Sequence, residues 1–292
     1  MARITVVGSS NTDMVVKTDR FPQPGETILG GEFFLFAGGK GANQAVAASR
    51  LGDKVRFIAR VGDDLFGRQA VEGFEREGID CSAITTDSEL ASGTALITVD
   101  AKGENTIVVA SGANDSLTPN LLQSIHFLPG EYVLTQLETP LSTVIALAER
   151  TDYLVLNPAP ARSLPEDLLR QVFLITPNET EAKLLTGVAV TDDRSAEEAA
   201  RVLLAYGIKH VVITLGARGA YYCGVDGHYR IPTPSVEAVD TTAAGDVFNG
   251  ALVVALSEGM AMRDALEFAV SAAAVSVTRM GAQTSAPRRN EI

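Results

Sequence analysis

Cysteine is scarce in this 292-residue chain: Cys81 and Cys223 are the whole complement, and they lie far apart. Two isolated thiols read as reduced side chains of a cytosolic protein, not as a disulfide framework or a metal pair. Histidine is nearly as rare. His126, His210 and His228 have no ligand spacing, so no zinc site is expected. Positive charge is also in short supply, with 24 Lys and Arg against 36 Asp and Glu and a formal net charge of -12. A phosphate backbone needs a basic surface, so nucleic acid is not an expected partner. A nucleotide stays open as a substrate, because a metal, one lysine and a helix end can neutralise its phosphates locally. No apolar run is long enough to span a bilayer, and Met-Ala-Arg before a short strand-like run lacks a signal-peptide pattern, so no membrane partner is expected. No repeat, low-complexity tract or long linker divides the chain.

What is present points to an α/β core. Apolar residues make up 46% of the chain and charged residues 21%, enough for a sizeable core and against global disorder. From Ser116 onward, near-continuous apolar strands alternate with amphipathic helices. The strands are 132–137, 153–158, 173–177 and 211–216, and the helices between them are 141–149, 178–185 and 195–206. That pattern predicts a mostly parallel sheet covered on both faces, a three-layer α/β/α fold. Ile4–Gly8 is a first buried strand, Val55–Gly62 another, and 66–77 a helix ending at Gly78. Two hairpin-like pieces interrupt the alternation, at about 14–37 and 93–110. They are expected to pair into one small sheet without helices of its own, a lid whose apolar face is a candidate dimer interface.

Polar residues gather where strands end. Ser9, Ser10, Asn11, Thr12 and Asp13 follow the first strand, where ligands bind in open α/β sheets. Asn11 and Asp13, one residue apart, point the same way in extended chain and suit sugar hydroxyls, or else form an Asx-type turn. Gly38-Gly39-Lys40-Gly41-Ala42-Asn43-Gln44 opens a helix that stops at Gly52. It lacks the Ser or Thr that a Walker A loop places after its lysine, and offers close backbone approach with donors from Lys40 and Asn43. Asn178 and Glu181 form either a capping box or a holder for the waters of Mg²⁺. Gly216 and Gly219 either close a hairpin or let phosphates lie against the backbone. The stretch from Asp240 through Thr241, Thr242, Ala243, Ala244 and Gly245 to Asp246 feeds a long apolar helix. Small residues at a helix start suit an anion, and Asp246 is placed to take a proton from a neighbouring hydroxyl; the alternative is a plain Asp N-cap. The two C-terminal helices, 243–257 and 262–278, are Ala-rich and expected to be buried, and the turn 279–285 after them exposes carbonyls.

Taken together, Gly38–Asn43 and Asp240–Asp246 resemble the signatures of the ribokinase-like, phosphofructokinase-B-type carbohydrate kinases. The resemblance spans the chain from Asn11-Thr12-Asp13 to Gly281-Ala282-Gln283. Gln136-Leu137-Glu138, Asn157–Ala161 and Thr176–Glu181 lean towards the members that act on ribose. It implies transfer of the γ-phosphoryl group of ATP to a primary sugar hydroxyl. By that resemblance Asn11, Asp13, Gly39, Lys40, Asn43 and Glu138 hold the sugar, with Asp246 as catalytic base and Ala243, Ala244 and Gly245 as the anion hole. Asn178, the segment Thr214, Leu215, Gly216, Ala217, Arg218, Gly219, and Gly245 match nucleotide contacts, and Glu181 places Mg²⁺ through water. Asp240, Thr242, Ser276, Arg279, Gly281 and Ser285 match a monovalent-cation site for K⁺. The lid implies a homodimer. Ala243 stands where the wider family often has Gly; Ala is usual in the members that use ribose. Val270 stands where many relatives have a polar residue near the adenine. Deoxyribose, fructose or a nucleoside are the rival substrates, and a catalytically silent sugar or nucleotide sensor is the rival class. The polar set around Lys40 favours a small, many-hydroxyl sugar, and an intact Asp246 loop favours catalysis.

Overall fold

The computed structural model describes residues 4–52 and 54–292. Its main sheet has eight strands, in the order β14-β13-β12-β11-β10-β9-β1-β4. These are β1 (Ile4–Val7), β4 (Val55–Ile58), β9 (Tyr132–Thr135), β10 (Leu154–Leu156), β11 (Leu174–Ile175), β12 (His210–Thr214), β13 (Ala220–Gly224) and β14 (Gly227–Ile231). The run from β4 to β12 is parallel, and β13 and β14 are added antiparallel at one edge.

Successive residues of a strand point to opposite faces, and the buried residues divide accordingly. Val6, Leu134, Val155, Leu174, Val212 and Tyr222 join one core, packed with apolar residues of α1 (Lys40–Leu51), α7 (Ala244–Ser257) and α8 (Met262–Ser276). Their neighbours Val7, Val133, Leu154, Ile175, Val211 and Tyr221 join a second core, with α3 (Leu141–Ala148) and α6 (Asp193–Ala205). Both cores rest on the same strands, which is the expected three-layer arrangement. Because α1 and α7 are sandwiched in the first core, Ala42, Ala45, Ala47, Ala251 and Ala255 are fully buried. Alanine keeps helix propensity while letting the two helices approach closely.

The two insertions form one separate sheet, ordered β3-β2-β7-β8, from β2 (Asn11–Lys17), β3 (Glu32–Gly38), β7 (Gly93–Val99) and β8 (Asn105–Ala110). The register sets Asp13 beside Phe36 and Ala95 on one face, and Met14 beside Leu35 and Leu96 on the other. Leu96 pairs with Val108, so Leu35, Met14, Leu96 and Val108 make an apolar row across all four strands, and Leu35, Leu96 and Val108 are exposed.

One expectation needs correcting. Val55–Gly62 is not a single strand but β4 followed by β5 (Arg60–Gly62), which pairs with β6 (Thr85–Asp87) in a two-stranded sheet. The partner strand causes the break. After Val7 the chain leaves the main sheet, the Gly8 N–H closes the ladder on the Ile58 carbonyl, and the Ala59 carbonyl accepts from Thr85 N–H instead. The helix predicted over 66–77 is α2 (Leu65–Arg76), and 178–185 is α5 (Glu179–Thr186).

Candidate active site

The site lies where the main sheet's strands end and three helices begin. Gly39 stands before α1 with φ of 90°, a conformation L side chains rarely adopt, and a Cβ there would meet the Asn11 nitrogen at 2.7 Å. A Cβ on Gly41 would fall 2.6 Å from Ser9 N. These two glycines let the start of α1 press against the end of β1. There Ser9 Oγ donates to Glu138 Oε2 at 2.6 Å, and Lys40 N donates to the same oxygen at 3.0 Å. Asn11 is fixed too, its Oδ1 accepting from Asn114 Nδ2 at 2.7 Å. Asp13 is on the body-facing side of the lid, where burial and then the charge of Glu138 push its carboxyl up to about 6.

Asp246, in the first turn of α7, is buried. Its Oδ2 accepts from Asn43 Nδ2 at 2.9 Å and its Oδ1 from Gln44 Nε2 at 3.0 Å. Burial raises its pKa, while Lys40, Asn43 and Gln44 pull the other way. Lys40 is itself raised: burial opposes its charge, but the surrounding carboxylates of Asp246, Glu138 and Glu181 outweigh that. The outcome is a carboxylate of enhanced basicity beside one ammonium and a set of neutral amides. Asn43 Oδ1 is buried without a protein partner among the described residues, an acceptor available to a hydroxyl.

The loop before α7 turns through Ala243, whose φ of 59° is the one left-handed non-glycine among the described residues. That turn brings the peptides of Ala244, Gly245 and Asp246 to the helix start, where partial positive charge collects. Gly245 and Asp246 N–H have no protein acceptor among the described residues, while Ala244 N–H makes a long contact of 3.3 Å to the Thr241 carbonyl. Next to this turn is a cavity of about 370 Å³. Asn178, Thr214, Gly216, Gly219, Ala244, Gly245 and Val270 line it.

The residues expected at a nucleotide are therefore gathered, with three exceptions. Leu215, Ala217 and Arg218 do not line the cavity. Leu215 is buried in the second core, and Arg218 is turned away, donating to Thr191 O at 2.6 Å and pairing with Glu179. Gly216 and Gly219 close the β12–β13 connection, and both line the cavity.

Matching the whole chain to families of known proteins identifies one, the pfkB family carbohydrate kinases, over residues 1–289. The chain belongs to the pfkB family of carbohydrate kinases. Among curated relatives, the ribokinase of Haemophilus influenzae is 46% identical over 99% of this chain and 96% of its own. Among solved structures, Thermotoga maritima ribokinase is 40% identical with a TM-score of 0.91, covering 100% of this chain and 98% of its own. Arabidopsis thaliana ribokinase, solved with ribose and ATP, is 30% identical with a TM-score of 0.91, covering 99% and 97%.

Two residue clusters bear on the Mg²⁺ and K⁺ that the sequence resemblance implies. Asn178 and Glu181 form a complete capping box: Glu181 N donates to Asn178 Oδ1 at 2.8 Å, and Asn178 N to Glu181 Oε2 at 2.8 Å. Glu181 Oε1 takes a further 3.0 Å bond from Asn178 Nδ2. So the cap is real, and Glu181 has only spare lone pairs for the waters of an ion. No group of three His, Cys, Asp or Glu is placed to hold a metal directly, among the described residues. That is compatible with Mg²⁺, which keeps several waters and rests on few carboxylates. At the other site, Asp240 Oδ2 accepts from Gly281 N at 2.8 Å and Oδ1 from Thr242 N at 2.9 Å. The loop and the C-terminal turn are thus side by side. A lone carboxylate balances a monovalent ion better than a divalent one. The hydroxyls of Ser276 and Ser285 are spent on the carbonyls three residues back, and the Arg279 guanidinium on Glu291. The serine oxygens keep their lone pairs for an ion, whereas Arg279 has only its main-chain carbonyl to offer.

The polar residues that sequence reasoning left without a role are Gln44, Gln136, Asn157, Asn114 and Asn249. Gln44 touches the Asp246 carboxylate itself. Its only signal was its place at the end of the Gly38–Gln44 stretch.

Proposed function

We propose that this kinase transfers the γ-phosphoryl group of ATP to O5 of D-ribose, giving ribose 5-phosphate. The observation that carries the reading is Asp246, set between the sugar-type cluster of Asn11, Asp13, Lys40, Asn43 and Glu138 and the cavity that Gly245 lines. The relatives named ribokinase, one of them solved with ribose and ATP, support it.

Phosphoryl transfer needs in-line positioning and charge neutralisation more than covalent help. Asn11, Asp13 and Glu138 hold the sugar hydroxyls, and Lys40 fixes the sugar while sustaining the charge on Asp246. Asp246 takes the proton of the attacking hydroxyl, a contribution of roughly 10²–10⁴-fold. The N–H groups of Ala243–Asp246 meet the charge that builds on the transferring group. The nucleotide lies in the cavity of Asn178, Thr214, Gly216 and Gly219, with Val270 beside the base. Glu181 would hold Mg²⁺ through water, which would supply charge neutralisation at the phosphates, and Asp240 and Thr242 would hold K⁺, which would order the loop before α7. The lid excludes water that would otherwise hydrolyse ATP. Its exposed row of Leu35, Leu96 and Val108 is the face on which a second copy docks, making a homodimer. No helix of the described residues is long and apolar enough to cross a membrane.

A coupled assay of ADP release with a panel of pentoses and hexoses tests the reading. Turnover that depends on ribose supports it. Turnover that prefers deoxyribose, fructose or a nucleoside moves the substrate, and binding without turnover makes the chain a sensor.

A further inference from the structure

Asp246 is one end of a longer buried chain of hydrogen bonds. Gln136 Nε2 donates to Gln44 Oε1 at 2.5 Å. That fixes which way the Gln44 amide faces, and its Nε2 then donates both to Asp246 Oδ1 at 3.0 Å and to Asn157 Oδ1 at 3.1 Å. Asn157 Nδ2 goes on to the Thr176 carbonyl at 3.2 Å. Thr176 Oγ1 donates to Asn249 Oδ1 at 2.6 Å, and Asn249 Nδ2 to the Gly245 carbonyl at 2.8 Å. The path starts at the Asp246 carboxylate and ends on the peptide that carries the Asp246 N–H. On the way it crosses the ends of β9, β10 and β11 and the helices α1 and α7.

We infer that Gln44 and Asn249, joined through Asn157 and Thr176, form one positioning device that sets the Asp246 carboxylate and the first peptide of α7 together. This rests on the reading of Asp246 as the base. Gln44 is 0% exposed and Asn249 1%, so neither can touch a substrate. Each amide in the path is held one way round by an acceptor that cannot donate, Gln44 by the Asp246 carboxylate, Asn157 by the Thr176 carbonyl and Asn249 by the Gly245 carbonyl, because a reversed amide would set oxygen against oxygen. The end of the path matters most. A peptide is planar, so a hydrogen bond to the Gly245 carbonyl fixes the plane in which the Asp246 N–H points. The group that accepts the proton and a donor that meets the transferring phosphoryl are held by one network of neutral amides. Asp246 is the one member of it that titrates. Burial favours its protonated form, and Gln44 works against that by donating to the charged form.

The test is kinetic, with ribose and ATP as the substrates. Gln44→Met keeps the length of the side chain and removes its donor. It is expected to lower kcat about tenfold with both KM values unchanged, and to move the acid limb of kcat up by about one pH unit, the effect of one hydrogen bond to a charged group. Asn249→Ala is expected to lower kcat with the acid limb in place. The double variant should lose less than the product of the two, since both act on one unit. A Gln44→Met enzyme with the wild-type kcat and acid limb overturns the inference, as does strict multiplication of the two effects. Should Gln44→Met fail to fold, Asn249→Ala decides: an unchanged kcat sinks the idea. If the wild type phosphorylates no sugar, it is the proposed function that fails. Carbon-13 NMR titration of Asp246 in wild type and Gln44→Met then reads the same pKa shift without turnover, and no shift overturns the device.

Discussion

Replacing Asp13 with Asn is expected to stabilise the unliganded protein and to spoil its sugar site. Burial, reinforced by Glu138, lifts the Asp13 carboxyl from 3.8 to about 6. The folded state therefore binds this proton more tightly than the unfolded state. The stability that the neutral form contributes is complete below pH 3.8 and is lost as pH rises through about 6. A rise of about two units is worth about 3 kcal/mol at 1.4 kcal/mol per unit, an upper figure because part of the side chain reaches solvent. Asparagine has no charge to bury, so Asp13→Asn recovers that amount at pH 7.5 and almost none at pH 3.5. With a melting entropy of about 2 cal/mol/K per residue, the gain corresponds to about 5 °C in Tm for a chain of this size. Thermal unfolding at the two pH values, with ribose affinity measured alongside, makes the comparison. Ribose affinity should fall in the variant at neutral pH, and in the wild type it should weaken below about pH 6, because hydroxyls donate best to a charged carboxylate. An equal Tm change at both pH values, or a less stable variant at pH 7.5, refutes the reasoning.

Further expectations concern the neighbouring parts of the site. Gly245→Ala meets no atom within 4 Å of its new Cβ, so Tm should hold, while the KM for ATP rises because the methyl stands in the cavity. Gly39→Ala has no such room: with φ of 90° and the Asn11 nitrogen at 2.7 Å, it should lower Tm and weaken ribose binding together. Lys40→Met removes the cation that Asp246, Glu138 and Glu181 share, so the acid limb of kcat should move up and the KM for ribose should rise. Exchange of K⁺ for a large organic cation should lower kcat without altering Tm by more than a degree or two, and unchanged turnover would remove the monovalent site from the account.

Much of the fold was legible because each layer writes its own period into the chain. Strands β9 to β12 are apolar on both faces, as a sheet covered twice requires, and the lid strands stand out as β-rich runs separated by turn residues with no helix between them. The break at Ala59 was not legible. Val55–Gly62 is one unbroken β-like run, and its division depends on β1 ending at Val7, a long-range fact. At the site, charge and glycine carried the signal. Lys40 and Asp246 advertise chemistry by standing next to small residues, Asp13 by closing the polar run that starts at Ser9, and the structure gathers them. The amides do not advertise. Gln44 opens an alanine-rich helix as a surface residue would, and Asn249 sits inside an apolar one. Their roles depend on partners contributed by other elements, Asn157 and Thr176 among them. Arg218 shows the converse, a cation in a glycine loop that looks like a phosphate ligand and is spent on Glu179 and Thr191.

The central claim is that Asp246 deprotonates a ribose hydroxyl at the edge of an ATP cavity. Phosphorus-31 NMR of a mixture of ATP, ribose and enzyme tests it most directly, run with the wild type and with Asp246→Asn. Ribose 5-phosphate and ADP are expected in equal amounts from the wild type. A rate lower by roughly 10²-fold or more is expected from Asp246→Asn, with ribose and ATP still bound. Phosphate on another hydroxyl, ADP formed at the same rate without ribose, or an Asp246→Asn enzyme close to wild-type turnover contradicts the claim.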